Sequence, residues 1–407
     1  MCLGLLAFWG CSNSPEFTRP LPPVASVHSP AFREGTGAAV GGSFVNGNRI
    51  TTLNNGNEIF PAMLAAISSA RTTVNMEMFV FEKGLIPQRF ADALADRARA
   101  GVQVRVLLDA VGAAKSRGYH ADLRAAGVVL ELHHRVWWPD LRRYNHRTHR
   151  KLLIVDGRVG FIGGVGIADH WAGAAGSPEE WRDIHYRVEG PVVAQLQGAF
   201  QDNWVQAHGE ILQGPAHFPA SATAGTTAAS VFYSSPRRQR YGSELMYHLA
   251  LASAEKSIRI TNPYFLPRRE LSDALCAAAR RGVKVQILLP GEYIDQKAVR
   301  RGSRKRWPTL LAAGIEIYEY QPTMIHTKLL VIDDYFVSLG STNLDPRSLR
   351  LNDEANMNVL DRTFARQQAN IFANDLLRAK RISGKSDAGR VAELPAQSLQ
   401  TPIESQL

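Results

Sequence analysis

The stretch HRKLLIVDGRVGFIGG, residues 149–164, returns as HTKLLVIDDYFVSLGS at residues 326–341. Each copy reads His-x-Lys, four apolar residues, an Asp, six further residues and a pair of small residues. In an extended chain alternate side chains share a side, so His149 and Lys151 project together while Arg150 faces away, and His326 and Lys328 do the same. The runs LLIV and LLVI that follow are continuously apolar, which suits strands buried on both faces. Asp156-Gly157 and Asp333-Asp334 then read as tight turns, and RVGFI and YFVSL as returning partner strands.

Outward from these hairpins the two halves of the chain continue to match. IFPAMLAAISSA places Ile59, Met63 and Ile67 at helical spacing before the strand-like TTVNMEMFVFE, and ELMYHLALASA precedes KSIRITNPYFLP. RFADALADRARAGVQVRVLLD answers to ELSDALCAAARRGVKVQILLP, with Gly101 and Gly282 where a helix end calls for a left-handed residue. LRAAGVVLEL and LLAAGIEIYEY follow in each half. Alternating helices and strands predict an α/β fold of two pseudo-symmetric halves, each a mixed β-sheet flanked by helices, as two units rather than one larger sheet. The expected division is an N-terminal segment 1–44, signal- or lipoprotein-like and then disordered, a first domain 45–215, a linker 216–230 rich in Ala, Thr and Ser, a second domain 231–380 and a disordered tail 381–407.

The 407 residues carry 47 Lys and Arg against 37 Asp and Glu, a net charge of +10 that favours an anionic partner. Of three cysteines only Cys276 lies in the body of the chain, so paired-cysteine zinc sites and an intradomain disulfide there are excluded; Cys276 reads as a helix filler. The apolar start MCLGLLAFWGC makes Cys11 a candidate lipid anchor, although Phe8 and Trp9 stand where a lipoprotein signal has smaller residues. No later run is long enough to span a bilayer, which predicts contact with a membrane from its surface.

An imidazole beside an ammonium is a poor metal site, because Lys offers only donors, but a good phosphate site. The lysine neutralises the oxyanion, and the histidine attacks phosphorus or moves a proton. In-line displacement needs a nucleophile on one side and a proton donor on the other. Two copies folded face to face supply both, with the active site between the halves. The small residues Gly163, Gly164, Gly340 and Ser341 would let backbone amides approach the phosphate.

At these residues the chain resembles the phospholipase D superfamily, over roughly residues 45–380. NGNEIFPAMLAAI, WRDIHYRVEGP, ITNPYFLP and YEYQPTMIHTKLLVID are similar to bacterial cardiolipin synthases, particularly the short type without N-terminal membrane helices. The resemblance implies transfer of a phosphatidyl group through a phosphohistidine, with neither metal nor cofactor. It makes His149 and His326 the nucleophile and the general acid, with His149 preferred as nucleophile. Lys151 and Lys328 would hold the phosphate and Asn343 would assist. Asp183 and Glu354 would orient the imidazoles, and Asp156 and Asp333 complete the signature in a supporting place. The first copy departs from the pattern, with Gly166 where the second has Asn343.

Three further signals stand beside the motif. His146 and His149 form a metal-like pair, but no acidic or sulfur ligand accompanies them. HHRVWWPDLRRYNHRTH offers Trp137 and Trp138 either to a lipid-facing entrance or to an inward-packed loop, and QKAVRRGSRKRW gathers cations that could grip headgroups or a nucleic-acid backbone. The expected function is therefore phosphatidyl transfer on anionic phospholipid, peripheral on a bacterial membrane. Hydrolysis by a phospholipase D, or cleavage of nucleic acid by a nuclease, would use the same chemistry.

Overall fold

The apolar run of each motif is buried on both faces because it lies between two cores. Leu153 and Val155 pack into one hydrophobic cluster while Leu152 and Ile154 pack into another; Leu330 and Ile332 separate from Leu329 and Val331 in the same way. The computed structural model describes residues 21–134, 146–235 and 242–383. Cys11, Trp137, Trp138 and the tail beyond Ser383 lie outside the described residues.

The first half contains β1 (Val45–Asn54), β2 (Thr73–Met78), β3 (Gln103–Asp109), β4 (Val129–His133), β5 (Leu152–Val155), β6 (Val159–Gly163) and β7 (Ile184–Glu189). The second contains β8 (Thr227–Ser234), β9 (Ser257–Thr261), β10 (Lys284–Pro290), β11 (Glu316–Tyr320), β12 (Leu329–Ile332), β13 (Phe336–Gly340), β14 (Glu354–Leu360) and β15 (Ala379–Arg381). The spatial order is β15-β11-β10-β9-β12-β13-β14-β8-β1-β7-β6-β5-β2-β3-β4. Read outward from the β8–β1 pair, the two halves repeat one order, with β15 added at the far edge of the second. Within each half the βαβ-linked strands pair in parallel, β2 with β3 and β3 with β4, while the motif hairpin runs antiparallel.

The halves are as expected, but their sheets are not separate. β1 and β8 pair antiparallel, Val45 with Ala229 and Asn48 with Thr227, across an irregular register, so one mixed sheet of fifteen strands runs through the molecule. The Ala- and Thr-rich segment read as a linker therefore ends in a strand from Thr227. Small side chains disguised it: Ala228, Ala229 and Ser230 are buried against neighbours that supply the bulk. Helices Val193–His208 and Arg362–Leu376 cover one face and feed a cluster drawn from both halves. The other helices cover the opposite face in two clusters, one of first-half residues and one that joins second-half residues, the buried Cys276 among them, to Val27, Phe32, Val40 and Phe44. The expected disorder of the N-terminal segment therefore gives way to a helix, Pro30–Val40, packed on the second half.

Candidate active site

His149 and Lys151 lead into β5, and His326 and Lys328 into β12. Arg150, pointing the other way, is fully buried and donates to Ala199 O at 2.6 Å, Ser234 O at 3.0 Å and Asp202 at 3.1 Å. It thus ties the first motif to the helix Val193–His208 and to β8 of the second half. Lys151 and Lys328 each donate to the carbonyl two residues back, at 2.7 Å, which folds both ammonium groups toward their own histidines.

Each imidazole is held by a carboxylate from the opposite half. His149 Nδ1 lies 2.9 and 3.0 Å from the two oxygens of Glu354, and His326 Nδ1 lies 2.8 Å from Asp183 Oδ2. The backbone enforces the exchange. His149 N donates to Asp353 O at 2.9 Å and Asp353 N to Arg147 O at 2.9 Å; Arg182 N donates to Met324 O at 2.8 Å and His326 N to Arg182 O at 2.7 Å. Two short parallel bridges, Thr148–Asp353 and Arg182–Ile325, thus lash each motif to the start of the strand that carries its carboxylate. With Nδ1 committed to a carboxylate, Nε2 of each ring faces the cavity, which fixes the tautomer.

The two Nε2 atoms differ. Lys328 Nζ lies 2.9 Å from His326 Nε2 and 3.0 Å from its Nδ1, whereas no hydrogen bond to His149 Nε2 is present among the described residues. Burial pushes His149 down to about 4 and His326 down to about 3, against the partial support of their carboxylates. Burial also takes Lys151 down to about 7, with Lys328 adding repulsion, and Lys328 down to about 8. Burial alone would raise Glu354 and Asp183, but their histidine and lysine partners hold both below the ordinary carboxylate range. The site is a pocket of crowded cationic groups that an anion would relieve.

His149, Lys151, His326 and Asn343 open into one cavity of about 400 Å³. Asn343 Oδ1 is buried and has no hydrogen-bond partner. The matching Gly166 leaves no room for an amide: a Cβ there would meet Val80 at 2.8 Å and the Trp171 ring at 3.0 Å. Trp171 fills that place and donates its indole N–H to Asp183 at 3.2 Å, a role the sequence reading missed. With Trp181 it packs on His326, each at a centroid distance of 5.3 Å, while Phe79 lies 5.1 Å from His149.

The structure corrects several roles. Gly163, Gly164, Gly340 and Ser341 do not line the cavity; they stand behind the histidines. A Cβ on Gly164 would lie 2.6 Å from both Asp183 oxygens, and one on Gly163 would lie 2.5 Å from His185 Nδ1. Gly340, at φ +151°, would meet Ala355 O at 2.4 Å, and the Ser341 hydroxyl donates to Glu354. The small pairs make room for the orienting carboxylates rather than for phosphate. Asp156 and Asp333 lie at the far ends of their strands, about 16 Å from the lysines by strand rise. Asp156 accepts from the backbone of Arg71, Thr72 and Thr73, and Asp333 from Glu255, Lys256 and Ser257, so each fastens the entry to a neighbouring strand.

His146 and His149 do not form a pair: His146 Nδ1 lies 2.9 Å from Leu351 O, while His149 turns to Glu354. In the basic run, Arg300 and Arg304 both close on Glu319, at 2.8 and 2.9 Å, and Trp307 is buried, leaving Lys297, Arg301 and Lys305 exposed.

Residues 63–203 and 248–376 match the family model described as "Cardiolipin synthase, PLD-like domain". The chain is 35% identical over 337 residues to Cardiolipin synthase 2 of Bacillus cereus, covering 82% of this chain and 65% of that protein. It is 33% identical over 348 residues to the Major cardiolipin synthase ClsA of Bacillus subtilis, covering 84% and 71%. The chain thus spans about two thirds of the length of the curated relatives it matches. In fold it is similar to the phosphatidylserine synthase of Haemophilus influenzae, with TM-score 0.62 at 15% identity over 92% of this chain and 96% of that one. Two matched segments, one in each half and each carrying its own His-x-Lys arm, establish that the chain belongs to the phospholipase D-like family of cardiolipin synthase domains.

Proposed function

We propose that this chain is a phosphatidyltransferase that forms cardiolipin, moving a phosphatidyl group from one phospholipid to a hydroxyl of another. The observation that carries the reading is the crossed pairing of His149 with Glu354 and of His326 with Asp183 around one cavity. His149 Nε2, with its lone pair uncommitted, attacks phosphorus in line. The P–O bond to the departing alcohol breaks, and that oxygen takes a proton that Lys328 passes through His326 Nε2, which leaves His326 neutral for the second half of the reaction. Glu354 stabilises the charge on the phosphorylated ring, while Lys151 and the Asn343 amide, which line the cavity, neutralise the equatorial oxygens and Lys328 acts through the adjoining His326. The acceptor hydroxyl then loses its proton to His326 and attacks phosphorus, and the P–N bond to His149 breaks.

The names of the curated relatives support phosphatidyl transfer, and so does the cavity lining. Phe79, Val80, Trp171, Trp181, Leu266 and Val299 suit a glycerolipid better than a sugar-phosphate backbone, which calls for a basic track. The closure of Arg300 and Arg304 on Glu319 removes two cations from the strongest such track. The enzyme would work from a membrane surface; among the described residues no helix is long and apolar enough to cross a membrane.

The test presents purified protein with labelled phosphatidylglycerol in vesicles and, separately, with single-stranded DNA. Cardiolipin is the expected product; phosphatidic acid alone would make the enzyme a hydrolase, and cut DNA beside untouched lipid would overturn the proposal. A p-nitrophenyl phosphodiester, whose leaving group needs no proton, should load its remaining esterified phosphoryl group onto His149 in the His326→Ala variant. Rapid alkaline quench and peptide mass spectrometry locate it, and label anywhere but His149 would reverse the assignment.

A further inference from the structure

At the end of β4, two adjacent histidines point the same way. Successive side chains of a strand alternate, so this needs a break, and His134 supplies it with a left-handed φ of +56°. A non-glycine residue held there is strained, and such strain concentrates at functional positions. The rings of His133 and His134 are brought to a centroid distance of 3.9 Å, and both turn toward Asp353 of the other half.

His133 Nε2 lies 3.5 Å from Asp353 Oδ2, too far for a good hydrogen bond, and His134 Nε2 lies 3.0 Å from the same oxygen. All three side chains are buried, and their ligand atoms lie within 4.8 Å of one another. Ligand atoms around a tetrahedral zinc stand about 3.3 Å apart, so both distances to the carboxylate fit a shared ion. Among the described residues His133 Nε2 is a buried ring nitrogen with no hydrogen-bond partner, its carboxylate neighbour Asp353 Oδ2 standing off at 3.5 Å, as expected of a ligand atom. Among the described residues the buried Arg150 guanidinium bonds Asp202 at 3.1 Å and is also attracted by Glu77 and Asp353. Glu77 Oε2 is buried without a partner, and burial holds that carboxyl above its usual range.

We infer that His133, His134 and Asp353 form a binding site for a divalent transition-metal ion, zinc by donor type, with the fourth position left to water. The ion lies outside the reacting groups. It joins the end of β4 to the residue immediately before Glu354, and so positions the carboxylate that orients His149. The sequence reading passed over the site because adjacent histidines in a strand face opposite ways, and their third ligand is more than two hundred residues distant.

The test uses tag-free full-length protein, dialysed against chelator, supplied with Zn²⁺, freed of excess metal by gel filtration and analysed by mass spectrometry. About one equivalent per chain is expected, and Co²⁺ in its place should give the visible bands of a tetrahedral site. Asp353→Asn, nearly isosteric, and His133→Asn should lose the ion, with circular dichroism confirming their fold, while His149→Ala should retain it. The inference is overturned if the parent holds less than about a tenth of an equivalent, if both ligand variants bind as the parent does, or if His149→Ala alone abolishes binding. None of these readouts depends on which phosphodiester the enzyme uses.

Discussion

Filling the cavity with an inert tetrahedral oxyanion such as sulfate should draw protons onto the protein, and the structure gives their number. With Lys151 at about 7 and Lys328 at about 8, the two lysines share about one proton at pH 7.5. Both histidines, at about 4 and about 3, are neutral there. A dianion between the ammonium groups offsets their desolvation and their mutual repulsion, so both lysines become fully charged and about one proton is taken up. A second arrives if His326 becomes an imidazolium to bond the oxyanion. Isothermal titration calorimetry in buffers of different ionisation enthalpy reads this directly, because the slope of observed heat against buffer enthalpy is the proton count. We expect an uptake of about one to two protons at pH 7.5, falling to at most about one at pH 5.5, where both lysines are already charged in the empty site. Zero uptake at pH 7.5, or proton release, would refute the picture of a cation-crowded pocket waiting for an anion.

Lys151→Met should abolish turnover yet raise the melting temperature. The folded ammonium is disfavoured, so the parent carries this cost in full below about pH 7 and sheds it as the pH rises toward the unfolded lysine value. The stabilisation should therefore be larger at pH 6 than at pH 9 by differential scanning calorimetry, and a reversed order would count against it. Asp156→Ala removes the acceptor for three backbone N–H groups; it should cost about 1–3 kcal/mol in denaturant titration while the kcat/KM of the folded fraction stays near that of the parent. Gly164→Ala drives a methyl group into the Asp183 carboxylate. It should lower turnover through His326 and destabilise by about 1–3 kcal/mol, whereas unchanged kinetics would detach that glycine from the orienting role.

Much of this architecture was readable in the chain because its signals are local. The runs LLIV and LLVI announce strands buried on both sides, and Gly101 and Gly282 do adopt left-handed φ values of +86° and +90°. β1, β7, β8 and β14 were not read as strands, since TAASVFYS is small and polar at one end and IHYRVE mixes charge with bulk. Their burial comes from partners distant in the chain, which no local period records. The catalytic types and spacing were likewise legible, but the carboxylate exchange was not. Asp183 follows His149 in the same half, and only the two parallel bridges send it to His326 instead. Trp171 escaped notice for a related reason: it fills a hole left by a glycine, and a missing side chain says nothing about what replaces it.

The exchange of carboxylates also constrains how such a molecule can change over generations. Neither copy of the repeat owns a finished reaction centre, so an ancestor with a single copy would have worked only as a pair of identical chains. In one chain the copies are coupled: any change at Asp183 is felt at His326, and any change at Glu354 is felt at His149. Selection on either lobe is in effect selection on its sibling.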